Sequence, residues 1–265
     1  ISFKEAVIAI VELGGVVPNP RYSMVETGIE LCKKEQPDAI LAVGGVSVID
    51  SAKAIAGGYY LEGEDLWEDY FVAHRKVTKA LPLGVVLTIP AAGSETNSGT
   101  VITNDVTHYK MSMGAKCLSP KCAISDPSIH VSVSKYQTAC GCADIIAHLL
   151  ERYFTNTKRV DYTDRLLEAS LQTVIYNLPR VLENPNDVDG RAELAWCGTL
   201  AHNGLLGKGR EEDWASHGLQ HELGAIYDIN HGEGLAVMFP AWMKYVWKQD
   251  PKRFVQYATR VWGVQ

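Results

Sequence analysis

The stretch AILAVGGVSVIDSAKAIA, residues 39–56, constrains the fold more than any other part of the chain. Ala39 to Val43 is a short continuous apolar run ending on Gly44 and Gly45, the pattern of a buried strand in a parallel sheet. VIDSAKAIA then reads as a helix. A strand, a glycine turn and a helix in that order present free backbone N–H groups and a helix dipole to a phosphate. LGVVLTI, residues 83–89, reads as a second buried strand and ends in another small-residue turn, PAAGSETNSG. Two such strand ends point to one ligand crossing the carboxyl edge of a parallel sheet. Upstream, residues 3–12 read as a helix that turns strand-like, and GGVVPNP, residues 14–20, as a loop. A helix follows to about Glu35, with Met24, Ile29 and Leu31 on its apolar side.

At Pro127 the pattern changes, and from there to Gln265 nearly every segment reads as helix. The expected architecture is an α/β domain over residues 1–127 followed by an all-helical domain over 128–265. Composition agrees: 46% hydrophobic and 21% charged residues describe a folded, water-soluble chain, and no apolar run is long enough to span a bilayer. A net charge of -6 gives no electrostatic footprint for nucleic acid. The early Lys4 and Glu5 do not fit a signal peptide, so cytosol is the expected compartment. The six scattered cysteines read as buried free thiols.

The helical half holds the strongest chemical signal. WASHGLQHELGAIYDINHGEGLAVMFP, residues 214–240, contains His217, His221 and His231, and Asp144 and His148 lie upstream in GCADIIAHLLERY. His217 and His221 are four apart, as are Asp144 and His148, so each pair shares one helix face. Imidazoles and a carboxylate from two segments suit a borderline divalent ion, although spacing alone leaves open which late histidine is not a ligand. His74, His108, His130 and His202 have no such partner and receive no role. The zincin order is absent, because Glu222 follows His221 directly, and neither a Walker A loop nor G-x-G-x-x-G is present. The turn Gly93–Asn97 adds hydroxyl and N–H donors to those of the first glycine turn.

Ordered along the chain, GGVVPNP, AVGGVSVIDSAKAIA, TIPAAGSETNSG, Lys110, Asp126–Pro127, GCADIIAHLLERY and HGLQHELGAIYDINHG resemble the iron-containing (group III) alcohol dehydrogenases, in their butanol dehydrogenase and broad-range aldehyde reductase branch. The resemblance implies a dinucleotide-binding α/β domain, a helical metal domain and one divalent ion, usually Fe²⁺ and in some members Zn²⁺. It implies Asp144, His148, His217 and His231 as ligands, with His221 as a proton-relay group near cofactor and substrate. Gly44, Gly45 and Ser47 match the pyrophosphate loop, Asp50 the acidic position beyond it, and Ser94 and Lys110 further cofactor contacts. Gly14 stands where NAD-preferring relatives carry an aspartate, which favours NADP(H) over NAD(H).

Val46 replaces the family's third loop glycine, and a weakened cofactor site is expected if that backbone needs positive φ or close phosphate contact. Against the family the chain is short at both ends, without a first strand and without later helices. The expected activity is NAD(P)-dependent interconversion of butanol-like alcohols and aldehydes by a homodimer. Two other readings share the motifs: a metal-dependent lyase or synthase on the dehydroquinate synthase-like scaffold, and an inactive remnant.

Overall fold

The computed structural model describes residues 5–265. Helix α1 (Tyr22–Glu35) buries Val25 and Gly28, while Met24, Ile29 and Leu31 are half-buried beside them. Strand β1 (Ile40–Gly45) runs directly into α2 (Val46–Gly58), with Gly45 at the helix cap. β1 pairs in parallel with β2 (Leu83–Ile89), placing Ile40 opposite Leu83 and Val43 opposite Val86. β2 pairs in parallel with the edge strand β5 (Cys122–Ser125). A separate antiparallel pair, β3 (Gly99–Thr103) and β4 (Lys110–Gly114), places Thr103 opposite Lys110.

The strands are parallel as read, but they are not buried on both faces. Ala42, Leu83, Val85 and Leu87 pack with Ile49 and Ala52 of α2. Leu41 (47% exposed), Val43 (57%) and Ile124 (56%) lie uncovered among the described residues. An apolar run therefore reported the strand correctly and its second face incorrectly. The reading of residues 3–12 also needs correction where it can be checked. Residues 5–7 form a turn and 8–12 have no regular structure, with Val7 92% exposed and Ile8 and Ile10 half exposed. Periodicity alone does not stabilise an element whose apolar residues stay exposed. Residues 3 and 4 lie outside the described part.

Six helices follow: α3 (Lys135–Tyr153), α4 (Asp161–Glu183), α5 (Val188–His202), α6 (Ala215–Tyr227), α7 (His231–Val246) and α8 (Pro251–Trp262). Ser134 caps α3 by accepting from Gln137 N–H, and Asp250 caps α8 ahead of a proline in its first turn. α3 is the central element and packs on α4, α5 and α7 around a core that includes Ile145, Leu149, Tyr153, Leu167 and Leu171. α6 lies across α7 and also touches β4, and α3 touches β2, so the helical half meets the strands at more than one place. No helix among the described residues is long and apolar enough to cross a membrane, and all six cysteines are unbridged.

Candidate metal and nucleotide site

α3 places Asp144, His148 and Glu151 on one buried face, because they sit four and three residues apart. α6 supplies His217 and Gln220, and Asp228 then takes the left-handed conformation and ends that helix. Asn230 caps α7 by accepting from Gly232 N–H, which makes His231 the first residue of the new helix. Ligand atoms of Asp144, His217 and His231 all lie within 4.8 Å of one another. Asp144 Oδ1 is 3.8 Å from His217 Nε2 and 3.7 Å from His231 Nε2. His148 stands beside this trio, with Nδ1 3.0 Å from Asp144 Oδ1 and its ring 4.5 Å from that of His217.

Two observations fit a divalent cation. Asp144 Oδ1 and His217 Nε2 are buried without a hydrogen-bond partner, which is costly unless something else binds them. The other ring nitrogen of each neighbouring histidine is committed outward. His217 Nδ1 donates to Glu151 Oε1 at 2.8 Å, His231 Nδ1 to Gln220 Oε1, and His148 Nδ1 to the Asp144 carbonyl at 2.9 Å. Such partners fix the tautomer that leaves an Nε2 lone pair for a metal. Burial pushes the Asp144 carboxyl up, but the neighbouring imidazoles, His148 and His231 foremost, hold it well below the usual carboxylate range. Burial pushes His148 and His231 down, which suits ligation, whereas at His217 burial is outweighed by Asp144 and Glu151, which raise it, so an ion binding there must displace a proton.

His221 lies one turn beyond His217, with its ring 5.6 Å from that of His231. Burial, then Lys110 and His217, push its pKa down to about 3. Lys110 opens β4 and reaches this centre across the α6 contact. Its Nζ donates to Asn19 Oδ1 at 2.8 Å, and burial lowers its pKa to about 8. Asn19 Nδ2 donates in turn to Asp228 Oδ1 at 2.8 Å, which also accepts from Arg21. The loop before α1 is thereby tied to the break between α6 and α7.

At the other end of the site, Gly44 and Gly45 end β1, and Val46 and Ser47 form the first turn of α2, which has no side-chain cap. Gly45 has φ −84°, and Val46 is an ordinary helical residue, so the positive φ that would have disfavoured valine is not required. Gly14 is exposed, and a Cβ placed there would meet nothing within 4 Å. Asp50 and Ser94 face inward. Ser94 Oγ donates to Asp50 Oδ1 at 2.5 Å, and Val101 N–H donates to Asp50 Oδ2 at 2.8 Å. Lys53 is fully buried and donates to Ser94 Oγ, Asn97 Oδ1 and the Gly99 carbonyl at 2.8–2.9 Å, so the three residues join α2 to the second turn. Gly93, in that turn, has φ +61°, and a Cβ there would lie 2.8 Å from the Gly198 carbonyl of α5.

Burial, opposed by Asp50 and Glu95, lowers the Lys53 pKa to about 8 from 10.5. Between these values the unfolded chain binds the extra proton, so the Lys53 contribution to stability rises with pH. The difference in unfolding free energy between wild type and Lys53→Met should grow from pH 8 to 10.5. Urea titrations showing a constant difference would contradict the buried network.

Of the residues singled out in the sequence, Asp144, His217 and His231 converge with His148 and His221 beside them, and the surrounding Lys53, Glu151, Gln220, Asn19, Asp228 and His202 were not singled out. Glu151 had a signal, since it lies seven residues past Asp144 on the same helix face. The others become visible only through partners far away in sequence.

The parallel sheet ends at a helix without a side-chain cap, and the helical half gathers one buried carboxylate with converging imidazoles. Residues 1–127 match the family profile described as iron-containing alcohol dehydrogenase. Residues 138–264 match the C-terminal profile of the Fe-containing alcohol dehydrogenase family. The chain belongs to the iron-containing alcohol dehydrogenase family. NADH-dependent butanol dehydrogenase A of Clostridium acetobutylicum is 43% identical over 98% of this chain and 67% of the relative. NADPH-dependent aldehyde reductase YqhD of Escherichia coli is 38% identical over 96% of this chain and 66% of the relative. The crystal structure of a Thermotoga maritima butanol dehydrogenase superposes with a TM-score of 0.96 at 43% identity, covering 99% of this chain and 66% of that one. The chain thus spans about two thirds of the length of these relatives.

Proposed function

We propose that this chain catalyses NAD(P)-dependent, metal-assisted interconversion of primary, butanol-like alcohols and aldehydes. The observation that carries the reading is the convergence of Asp144, His217 and His231 beside Lys110, with each histidine's Nδ1 committed elsewhere. In this reading residues 1–127 bind the dinucleotide and residues 128–265 bind the ion. Asp144, His217 and His231, joined by His148, hold Fe²⁺ or Zn²⁺; imidazole and carboxylate suit both. When bound, the ion polarises a carbonyl or acidifies an alcohol and the nicotinamide carries hydride.

The chain's own residues bind, orient and move a proton. The uncapped N-terminus of α2, with Gly44, Gly45 and Ser47, would receive the pyrophosphate, and Lys110 would be a further cofactor contact. Asp50 and Ser94 act by holding the loops in place, because their polar atoms already satisfy each other. His221 passes a proton through its neutral ring; with a pKa of about 3 it stores none at neutral pH. His231, from the head of α7, and His217, from α6, keep the site at the meeting of both halves. The working form in this reading is a cytosolic homodimer, a compartment suited to six reduced thiols.

For the cofactor, the proposal favours NADP(H). Gly14 leaves open space where an aspartate would accept from a ribose 2′-OH and repel a 2′-phosphate. The relatives above are named for both cofactors, so the residue is the argument. Gly14→Asp should shift kcat/KM toward NADH by roughly tenfold or more, a difference of about 1.4 kcal/mol. Markedly better wild-type turnover with NADH than with NADPH would sink the preference.

NADPH oxidation with butanal tests the reaction itself. Stoichiometric consumption supports a dehydrogenase, whereas a lyase of the dehydroquinate synthase type regenerates its nicotinamide within the cycle and shows no net consumption. A folded protein that binds neither ion nor NADPH would fit the remnant reading.

A further inference from the structure

The histidines around Asp144 divide into two proton arrangements, and their partners decide which. A peptide carbonyl, a carboxylate and an amide oxygen only accept, so His148, His217 and His231 carry a proton on Nδ1, which leaves Nε2 as the nitrogen available to an ion. His202, at the end of α5, is the reverse. Arg152 Nη2 lies 2.9 Å from His202 Nδ1, and a guanidinium only donates. The Nδ1 lone pair is therefore used, and the neutral ring carries its proton on Nε2, which makes that atom a donor.

His202 nevertheless lies against the centre. Its ring is 4.4 Å from that of His148 and 5.3 Å from Trp214. Arg152 is buried, donates through Nη1 to the His148 carbonyl at 2.8 Å, and stacks over Trp214 at 4.9 Å. Arg152 Nε also lies 3.0 Å from Glu212 Oε1. One guanidinium thus ties His202, the backbone of His148 and the segment leading into α6. Without the His202 acceptor, a buried Arg152 N–H is left unpaired, and the guanidinium must move or remain unsatisfied.

Resting on the metal reading above, we propose that His202 is a positioning residue for the metal centre: it braces His148 by ring contact and through Arg152, and it stays outside the coordination sphere. Its position gave no signal in sequence, because Arg152 lies fifty residues away on another helix.

The test compares His202→Leu, which keeps bulk without an acceptor, with His202→Asn, whose amide oxygen can accept from Arg152. His202→Ala serves in place of the leucine variant if that protein does not fold. Each full chain is loaded anaerobically with Co²⁺ alone, and the visible spectrum and the rate of release to a chelator are recorded. The leucine or alanine protein should release Co²⁺ about 10–100-fold faster than wild type, and the asparagine protein within about threefold of it. All should keep the wild-type band positions, since no ligand has been removed. Equal release rates for the acceptor and non-acceptor variants, or band shifts in both, overturn the proposal. A wild-type protein that takes up no Co²⁺ overturns the metal reading itself and this role with it, an outcome distinct from failure of the His202 comparison.

Discussion

Replacing His217 with alanine is expected to remove the bound ion and to lower kcat/KM for aldehyde reduction by on the order of 10³-fold or more, because several kcal/mol of charge stabilisation leave with it. His217 is 5% exposed and connects two buried carboxylates, 2.8 Å from Glu151 Oε1 and 3.8 Å from Asp144 Oδ1. Alanine leaves Glu151 with only the His217 backbone N–H as a partner in this hydrogen-bond network. Loss of the side-chain bond should cost the metal-free fold about 1–3 kcal/mol. Two readouts follow: metal content per chain falls toward zero, and the metal-free melting temperature drops. A His217→Ala protein with full activity and unchanged metal content would end the site assignment.

Gly232→Ala should be the most damaging small substitution in the helical half. A Cβ on residue 232 would lie 1.9 Å from the Cys140 carbonyl oxygen and 2.6 Å from its carbon, so rigid backbone of α3 stands where the methyl must go. α7 would have to lift from the helix that carries Asp144 and His148, taking His231 with it. The expected cost is about 3 kcal/mol, the upper end of the usual overpacking range. A chain of this size would lose roughly 6–12 °C in Tm. Gly218→Ala is the control, since a Cβ there meets nothing within 4 Å and the position is an exposed helix interior. It should be neutral or stabilising by about 0.5–1 kcal/mol. Equal melting temperatures for Gly232→Ala and wild type would contradict the α3–α7 packing.

Much of this arrangement was legible in the chain because local rules governed it. The apolar run before Gly44 and Gly45 specified β1 and the start of α2, and the four-residue spacing of Asp144 and His148 placed both on the buried face of α3. What failed was whatever depended on a distant surface. Residues 8–12 have the apolar content of an element but are exposed throughout, and Leu41 and Val43 lie on a sheet face left uncovered among the described residues. Lys53 reads as one more polar residue of α2 until Ser94, Asn97 and Gly99 converge on it from a different turn. A positive φ at Val46 was suggested by a glycine pattern, and the backbone there is helical. Spacing also nominated His217 and His221 equally; in the structure His217 Nδ1 pairs with Glu151 and His231 Nδ1 with Gln220, partners that lie elsewhere in the sequence.

The measurement closest to the central claim is anaerobic reconstitution of the full chain, with metal quantified per chain alongside NADPH oxidation by butanal. The account predicts one tightly held divalent ion, oxidation that stops when a chelator removes it, and recovery when Fe²⁺ or Zn²⁺ is restored. Butanal reduction that proceeds unchanged in metal-free protein would contradict it.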